Sequence, residues 1–405
     1  MSLAPVPSFQ HATPAFRTFC GPEALKSLPR ELARLGAERA MVFCEPAIAH
    51  HHPDALARVE SALGDRFAGR YEGIDEHSPL PAVQEGRSAL HRARADAVIA
   101  VGGGSAVVTA RASTILLAED KDIRELCTRR GDDGRLISPR LSAPKLPQWV
   151  VPSTPVTAYA KAGSAVRDPS TQERLALFDP ATRAKGIFLD PDMAITAPVR
   201  LAQSSSLNAF SMAVEGIQSL VNDPLADALL VHALRTLVEW LPRLIDAPED
   251  PAPRLQLMIA ALLSGQGSDF VGGGLAQALS HAVGPRSSTA NGVAEALLLP
   301  YVMRYNAPVT ASTFTLIAGA LDASLASGAR EDAAVAVVER FLLAVGVPRY
   351  LSEVGISRDA LSDVVAHTVD DWALSNVPRP ASGDDLMLLL EEAWGPDSHQ
   401  LPASS

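Results

Sequence analysis

The chain has 405 residues, 47% of them hydrophobic and 20% charged, with a formal net charge of −11. A length of that order fits about two domains of ordinary globular composition, and the acidic balance speaks against a nucleic-acid partner, which demands a basic footprint. Its three scattered cysteines, Cys20, Cys44 and Cys127, make neither a disulfide framework nor a zinc site. No apolar run reaches the ~18 residues of a membrane span. Met1 to His11 lacks the basic start and apolar stretch of a secretory signal. The expectation is a soluble, cytoplasmic protein whose partners include neither membrane nor nucleic acid.

In chain order, Gly21-Pro22 precedes a helix-periodic stretch from Glu23 to Leu35, and Ala40–Cys44 is a compact apolar run of the kind that forms a buried strand. Pro79 to Ala93 has helical spacing and leads into Asp96–Val101, a second buried strand. Glu119 to Pro147 is polar and proline-containing, an expected surface excursion. Gln148–Pro152 and Gly186–Asp190 have the composition of further strands. Strands recurring between helices predict a mostly parallel α/β sheet. After about Asp192 only helical patterns follow. Asp223-Pro224 supplies an N-cap and a first-turn proline, Ser357 is placed to cap a late helix, and Ser382 with Asp385 has capping-box spacing. The tail from Gly395 to Ser405 is expected to be poorly ordered.

Between the strand ending at Val101 and a small-residue helix lie Gly102, Gly103, Gly104 and Ser105. Glycines let the backbone approach a ligand closely, and a helix N-terminus offers unpaired N–H groups and a positive dipole end. A glycine cluster is often only a turn, but the strand before it and the helix after it favour a pyrophosphate cradle.

Two helical segments of the second half have the spacing of a metal site without its donors. Ser206 to Glu215 places Asn208 and Met212 four residues apart. Gly274 to Gly284, running on to Val293, places Gln277, His281 and Asn291. This spacing resembles the group III, iron-containing, alcohol dehydrogenase family, whose pattern there is Asp-x-x-x-His, then His-x-x-x-His, then a further His. Phe178-Asp179-Pro180, Leu189-Asp190-Pro191-Asp192, Leu299 to Asn306 and Asn376-x-Pro378-Arg379-Pro380 resemble other words of the family, so the likeness covers almost the whole chain. The maleylacetate reductase branch is the most similar in having Asn208 before an alanine and no acid in the helix after the glycines.

The resemblance implies a Rossmann-like α/β nucleotide-binding domain over 1–192 and an all-α domain over 193–405, the dehydroquinate synthase-like arrangement. It implies an NAD(P)-dependent dehydrogenase or reductase acting on CH–OH or C=O groups of a small carbonyl or oxo-acid, and a homodimer. Pro152 to Tyr159 resembles the family's Pro-Thr-Thr-x-x-Thr-Gly loop, so Thr154 and Thr157 are cofactor-binding candidates. Glu45, just past the first strand, stands where an acid meets the adenosine ribose; a carboxylate there accepts from a 2′-hydroxyl and repels a 2′-phosphate, which favours NAD over NADP. The family's Asp and Lys in the glycine-loop helix are Val108 and Arg111 in this chain.

At the four ligand positions stand two carboxamides from Asn208 and Gln277, the Met212 thioether and the Asn291 amide. A divalent metal prefers imidazole or carboxylate donors, so no metal is expected. His281, which in the family lies near the reacting centre without being a ligand, remains as either the general acid or an ordinary helix histidine. The amides of Asn208, Gln277 and Asn291 are candidate substrate-side donors, and Met212 fills space. Arg286 is either a carboxylate anchor or a solvated loop arginine. Tyr159 and Lys161 are an alternative proton-delivering pair, because a nearby ammonium lowers a phenol pKa. Two other functions stay open: a non-redox lyase or cyclisation enzyme on the same fold, and a non-catalytic nucleotide-binding protein.

Overall fold

The computed structural model describes residues 8–396 apart from 132–135, 172 and 222 and the side chain of Ser375. The tail expected to be poorly ordered therefore lies, beyond residue 396, outside the described residues. The chain forms two compact units. One contains Thr13–Ala202 and Pro248–Met258; the other contains Gln203–Ala247, Ile259–Ser405 and Met1–Ala12, so far as these are described. Residues 193–202 and Pro248–Met258 thus pack with the first unit, on the far side of a single cut at 192/193.

The first unit is built on a parallel sheet. Its strands are β1 (Arg17–Cys20), β2 (Ala40–Cys44), β3 (Phe67–Tyr71) and β4 (Ala97–Gly102). The short pair β5 (Arg129–Arg130) and β6 (Leu136–Ile137) follows, then β7 (Gln148–Pro152), the hairpin β8 (Gly163–Arg167) and β9 (Arg174–Phe178), and β10 (Gly186–Leu189). The six-stranded order is β1-β10-β7-β4-β2-β3, every neighbouring pair parallel. β2, β4, β7 and β10 are buried along their whole length, which is why they stand out as apolar runs. β1 and β3 make no such run because edge strands are half wet. β3 also carries Gly69 at φ +127° and a register shift against Ala40/Met41. From β2 the chain steps outward to β3, then returns to place β4 on the other side of β2. The strand order therefore reverses between β2 and β4, the point where open α/β sheets bind ligands beyond the carboxyl ends of their strands.

One face of the sheet is covered by Leu28, Leu32, Ile48, Leu56, Val59 and Leu63 packed on Val42, Ile99, Trp149, Val151 and Phe188. A second cluster joins Val83, Ala112, Ile115 and Leu116 to Val166, Leu175 and Leu177 of the hairpin. The hairpin alternates, with Ser164, Val166, Leu175 and Leu177 turned in. Helix Gly104–Glu119 is buried nearly all round, which explains its run of small and β-branched residues. The polar excursion from Glu119 is pinned by Lys145, fully buried between Glu119 at 2.6 Å and Asp179 at 3.0 Å.

The second unit is helical, as its patterning predicts. Its helices include Val199–Ile217 from Gln203 on, Pro224–Asp246, Leu275–Val283, Asn291–Thr310, Glu331–Ala344, Leu361–Thr368 and Gly383–Trp394. Asp223 caps its helix by accepting from the Leu225 and Ala226 amides, and the Ser382–Asp385 capping box is complete in both directions. Ser357 precedes a short 3-10 turn but its side chain makes no capping bond, so that expectation is corrected. Among the described residues no helix is long and apolar enough to cross a membrane.

Candidate active site

Gly102 closes β4 at φ +139°, a left-handed conformation that favours glycine, and Gly103 is the N-cap of helix Gly104–Glu119. A Cβ at Gly102 would stand 2.7 Å from the Glu45 carboxyl carbon. One at Gly103 would meet Thr154 Oγ1 at 3.0 Å and Glu45 Oε1 at 3.2 Å. The cradle is thus shaped by three neighbouring strand ends: β4 for the glycines, β2 for Glu45 and β7 for Thr154. Gly104 and Ser105 open the helix, where first-turn amides face an incoming anion. A pyrophosphate fits this backbone, and these residues are the ones that would hold it.

Glu45 is not simply a free carboxylate past a strand. Its Oε1 accepts the Gly103 N–H at 2.8 Å, and burial pushes its pKa up against the lowering effect of that bond. Thr154 is fully buried, with Oγ1 lacking a hydrogen-bond partner among the described residues. Thr157 is buried at the start of the 3-10 turn Thr157–Tyr159. Arg111, where the family pattern has a lysine, is fully buried and donates to the Gly163 carbonyl at 2.6 Å and the Ala158 carbonyl at 2.8 Å. It ties the glycine-loop helix to the segment after the threonine loop. The expectation for Tyr159 and Lys161 needs correction. Tyr159 is fully buried, its hydroxyl directed at the Met258 carbonyl at 3.3 Å, and burial raises the phenol well above its ordinary range rather than an ammonium lowering it. Lys161 is half-buried beside it in sequence.

In the helical unit, His281 lies on the last turn of Leu275–Val283 and meets the Asp371 carboxylate, Nδ1 to Oδ2 2.8 Å; their side chains are 13% and 11% exposed. Asn208 donates from Nδ2 to Glu295 Oε2 at 2.5 Å, and Glu295 is 1% exposed. Gly292 makes this meeting possible, since a Cβ there would stand 2.0 Å from the Ser204 carbonyl oxygen, one turn before Asn208. Met212 is buried. Gln277 is folded back on Gly273, its Oε1 buried without a partner among the described residues. Asn291 starts its helix with Oδ1 against Gly284. Arg286 is neither a free anchor nor a solvated loop arginine: it donates to the Ala282 carbonyl at 2.7 Å and to the His367 ring, whose Nδ1 donates in turn to the Asp363 carbonyl.

His281 is not the only titratable group at these second-half positions. No hydrogen bond joins His281 to Asn208, Gln277 or Asn291 among the described residues, and two further buried acids enter. Besides Glu295, Glu215 caps the helix that carries Gln277 and His281. Its Oε1 accepts from Ala276 at 2.7 Å and its Oε2 from Gln277 at 3.3 Å. Burial pushes this carboxyl up to about 7, although the two amide bonds pull the other way. Glu215 shares a helix face with Asn208 by seven-residue spacing and Glu295 follows Asn291 by four, so both were within reach of a spacing argument. Asp371, 90 residues from His281, was not.

Iron fits these residues badly. Asn208, Gln277 and Asn291 offer only neutral amide oxygens and Met212 a soft thioether, and no group of three or more His, Cys, Asp or Glu suited to a metal occurs among the described residues.

Residues 14–191 match the iron-containing alcohol dehydrogenase family and residues 202–394 its C-terminal part. Lactaldehyde reductase of Escherichia coli is 27% identical over 92% of this chain and 97% of its own. Maleylacetate reductase 2 of Cupriavidus pinatubonensis is 30% identical over 93% and 94%. The solved alcohol dehydrogenase of Oenococcus oeni superposes with a TM-score of 0.86 at 20% identity, over 95% of this chain and 100% of that one, which shows the shared fold. Of the functions left open by the sequence these likenesses support the redox one: the chain belongs to the iron-containing alcohol dehydrogenase family and is an oxidoreductase acting on CH–OH or C=O groups.

Proposed function

We propose that the chain is a metal-independent reductase that uses NADH on a small carbonyl or oxo-acid. The observation that carries this reading is the pairing of a poor metal donor set (Asn208, Met212, Gln277 and Asn291) with a histidine held by a carboxylate, His281–Asp371 at 2.8 Å. Relatives named for lactaldehyde and maleylacetate, both carrying a reducible oxo group, support the substrate class.

When bound, a reduced nicotinamide supplies the hydride. The residues of this chain have three tasks. Gly102, Gly103, Gly104 and Ser105 receive the pyrophosphate through backbone N–H groups, with Thr154 and Thr157 behind them. Glu45 disfavours a 2′-phosphate and so favours NADH over NADPH. His281 holds a proton at Nε2 and gives it to the oxygen on which negative charge develops, while the amides of Asn208, Gln277 and Asn291 stand in as hydrogen-bond donors where the family pattern puts a Lewis acid. A homodimer belongs to the same proposal.

The test is NADH absorbance with lactaldehyde, maleylacetate and a wider panel of oxo-acids, aldehydes and enones, run on protein purified without chelator and again after EDTA. Turnover that survives EDTA, with far less than one metal per chain by elemental analysis, is the expected result. Near-stoichiometric iron or zinc whose removal abolishes turnover would sink metal independence.

A further inference from the structure

The Asp371 carboxylate is fixed at both oxygens. Oδ2 faces His281 Nδ1 at 2.8 Å; Oδ1 accepts the Ala373 N–H at 2.8 Å, because Asp371 is the N-cap of the 3-10 turn Trp372–Asn376. The carboxylate cannot rotate away from the ring without giving up its backbone bond. The Trp372 indole, 5.9 Å from the imidazole between centroids, packs on the same ring.

An ionised carboxylate accepts and never donates, so the bond between Asp371 and Nδ1 requires the hydrogen to sit on Nδ1. The neutral ring is then the Nδ1–H tautomer with its lone pair on Nε2, and the protonated ring carries its transferable proton on Nε2. Nε2 makes no hydrogen bond among the described residues. The other charged groups near this helix are engaged elsewhere. Glu215 caps its N-terminal end, Glu295 on Asn291–Thr310 holds Asn208, and Arg286 beyond its C-terminal end is bound to His367. Asp370 precedes Asp371, and Asp363 meets His367 only through its carbonyl.

We propose that Asp371 is a positioning residue of the reaction: it sets the His281 tautomer and ring orientation so that Nε2 is the proton-transfer atom. The inference rests on the proposed role of His281 as proton donor and adds the residue that makes it a donor at one defined nitrogen. Aspartates that orient a catalytic imidazole in this way matter through tautomer more than through bulk charge.

The experiment is 15N NMR of the full chain labelled at histidine, with His281 assigned by the resonances lost in His281→Gln, alongside steady-state kinetics with lactaldehyde or maleylacetate and NADH. Wild type should show neutral His281 as the Nδ1–H tautomer. Asp371→Asn keeps an N-cap side chain for Ala373, so the turn survives. Its amide can offer an N–H to the ring and should move His281 towards the Nε2–H form. Turnover should then fall ~100- to 10,000-fold, the range for losing general acid–base catalysis, with KM changed only a few-fold. Asp371→Glu should restore the tautomer and part of the rate. A wild-type ring already in the Nε2–H form, or a tautomer indifferent to Asp371→Asn, overturns the inference whatever the kinetics. Normal turnover in His281→Ala with the tautomer still set by Asp371 strikes the proton-donor reading instead, so the two failures are told apart.

Discussion

The glycine cradle of the α/β unit and the polar positions of the helical unit have departed from the family pattern in opposite ways. In the cradle the glycines are all present, and two are held by geometry: Gly102 by its φ of +139° and its approach to Glu45, and Gly103 because a side chain there would intrude between Thr154 and Glu45. A backbone packed this closely leaves few substitutions open. In the helical unit the two helix segments keep their spacing while the side chains have been replaced: Asn208 has found a new partner in Glu295, and the Gln277 side chain leaves its Oε1 buried without one among the described residues. Chemistry that resides in side chains can be rewritten without moving a helix, because the backbone bonds that hold the helix do not depend on them. The first unit shows the limited form of the same process, where Arg111 has become a buried tie between two carbonyls.

The sharpest way to break this contrast is to remove His281, the imidazole at the rewritten helix positions. His281→Ala should lower turnover ~100- to 10,000-fold, the range for losing a general acid, while NADH affinity, followed by fluorescence titration, stays near wild type. Near-normal turnover would mean that the rewritten helices no longer carry the chemistry.

Next in size is Glu215→Gln. Burial holds this carboxyl at about 7 in the folded protein, well above the ordinary glutamate range, so it keeps a proton that the unfolded chain has lost. That contribution to stability is complete below the unfolded value and disappears as pH rises through about 7, a change of roughly 3 kcal/mol by linkage. Denaturant unfolding between about pH 5 and pH 8 should show wild type losing more stability than the variant over that range. Parallel profiles would show that Glu215 is ionised throughout, as its two amide bonds favour.

Gly103→Val tests the cradle itself. A β-branched side chain between Thr154 and Glu45 should block close approach of the backbone to the pyrophosphate and lower NADH affinity ~10- to 100-fold, about 1.4–2.7 kcal/mol, without changing the pH profile of the helical unit. Unchanged affinity would remove the cradle assignment. The smallest effect belongs to Glu45→Ala, which frees the Gly103 N–H and removes the carboxylate expected at the ribose. The NADH preference over NADPH should narrow within about tenfold; an unaltered ratio would leave Glu45 as a brace for the glycine loop alone.

Local chemistry by itself determined much of this protein. The buried strands Ala40–Cys44 and Gln148–Pro152, the glycine turn after β4, the Asp223 cap and the Ser382–Asp385 box depend on neighbours a few residues away, so composition and spacing suffice to find them. The edge strands β1 and β3, the hairpin β8–β9 and every long-range polar pairing were decided by tertiary structure. Asn208 meets Glu295 across 87 residues, Ala276 meets Glu215 across 61 and His281 meets Asp371 across 90. A polar side chain announces that it needs a partner; which partner it gets depends on how helices pack, and packing is driven by apolar surfaces that carry no information about hydrogen bonds. The burial of Arg111 and Tyr159 has the same origin. Their sequence positions point to the cofactor loop, and only the folding of the chain around them turns both into struts.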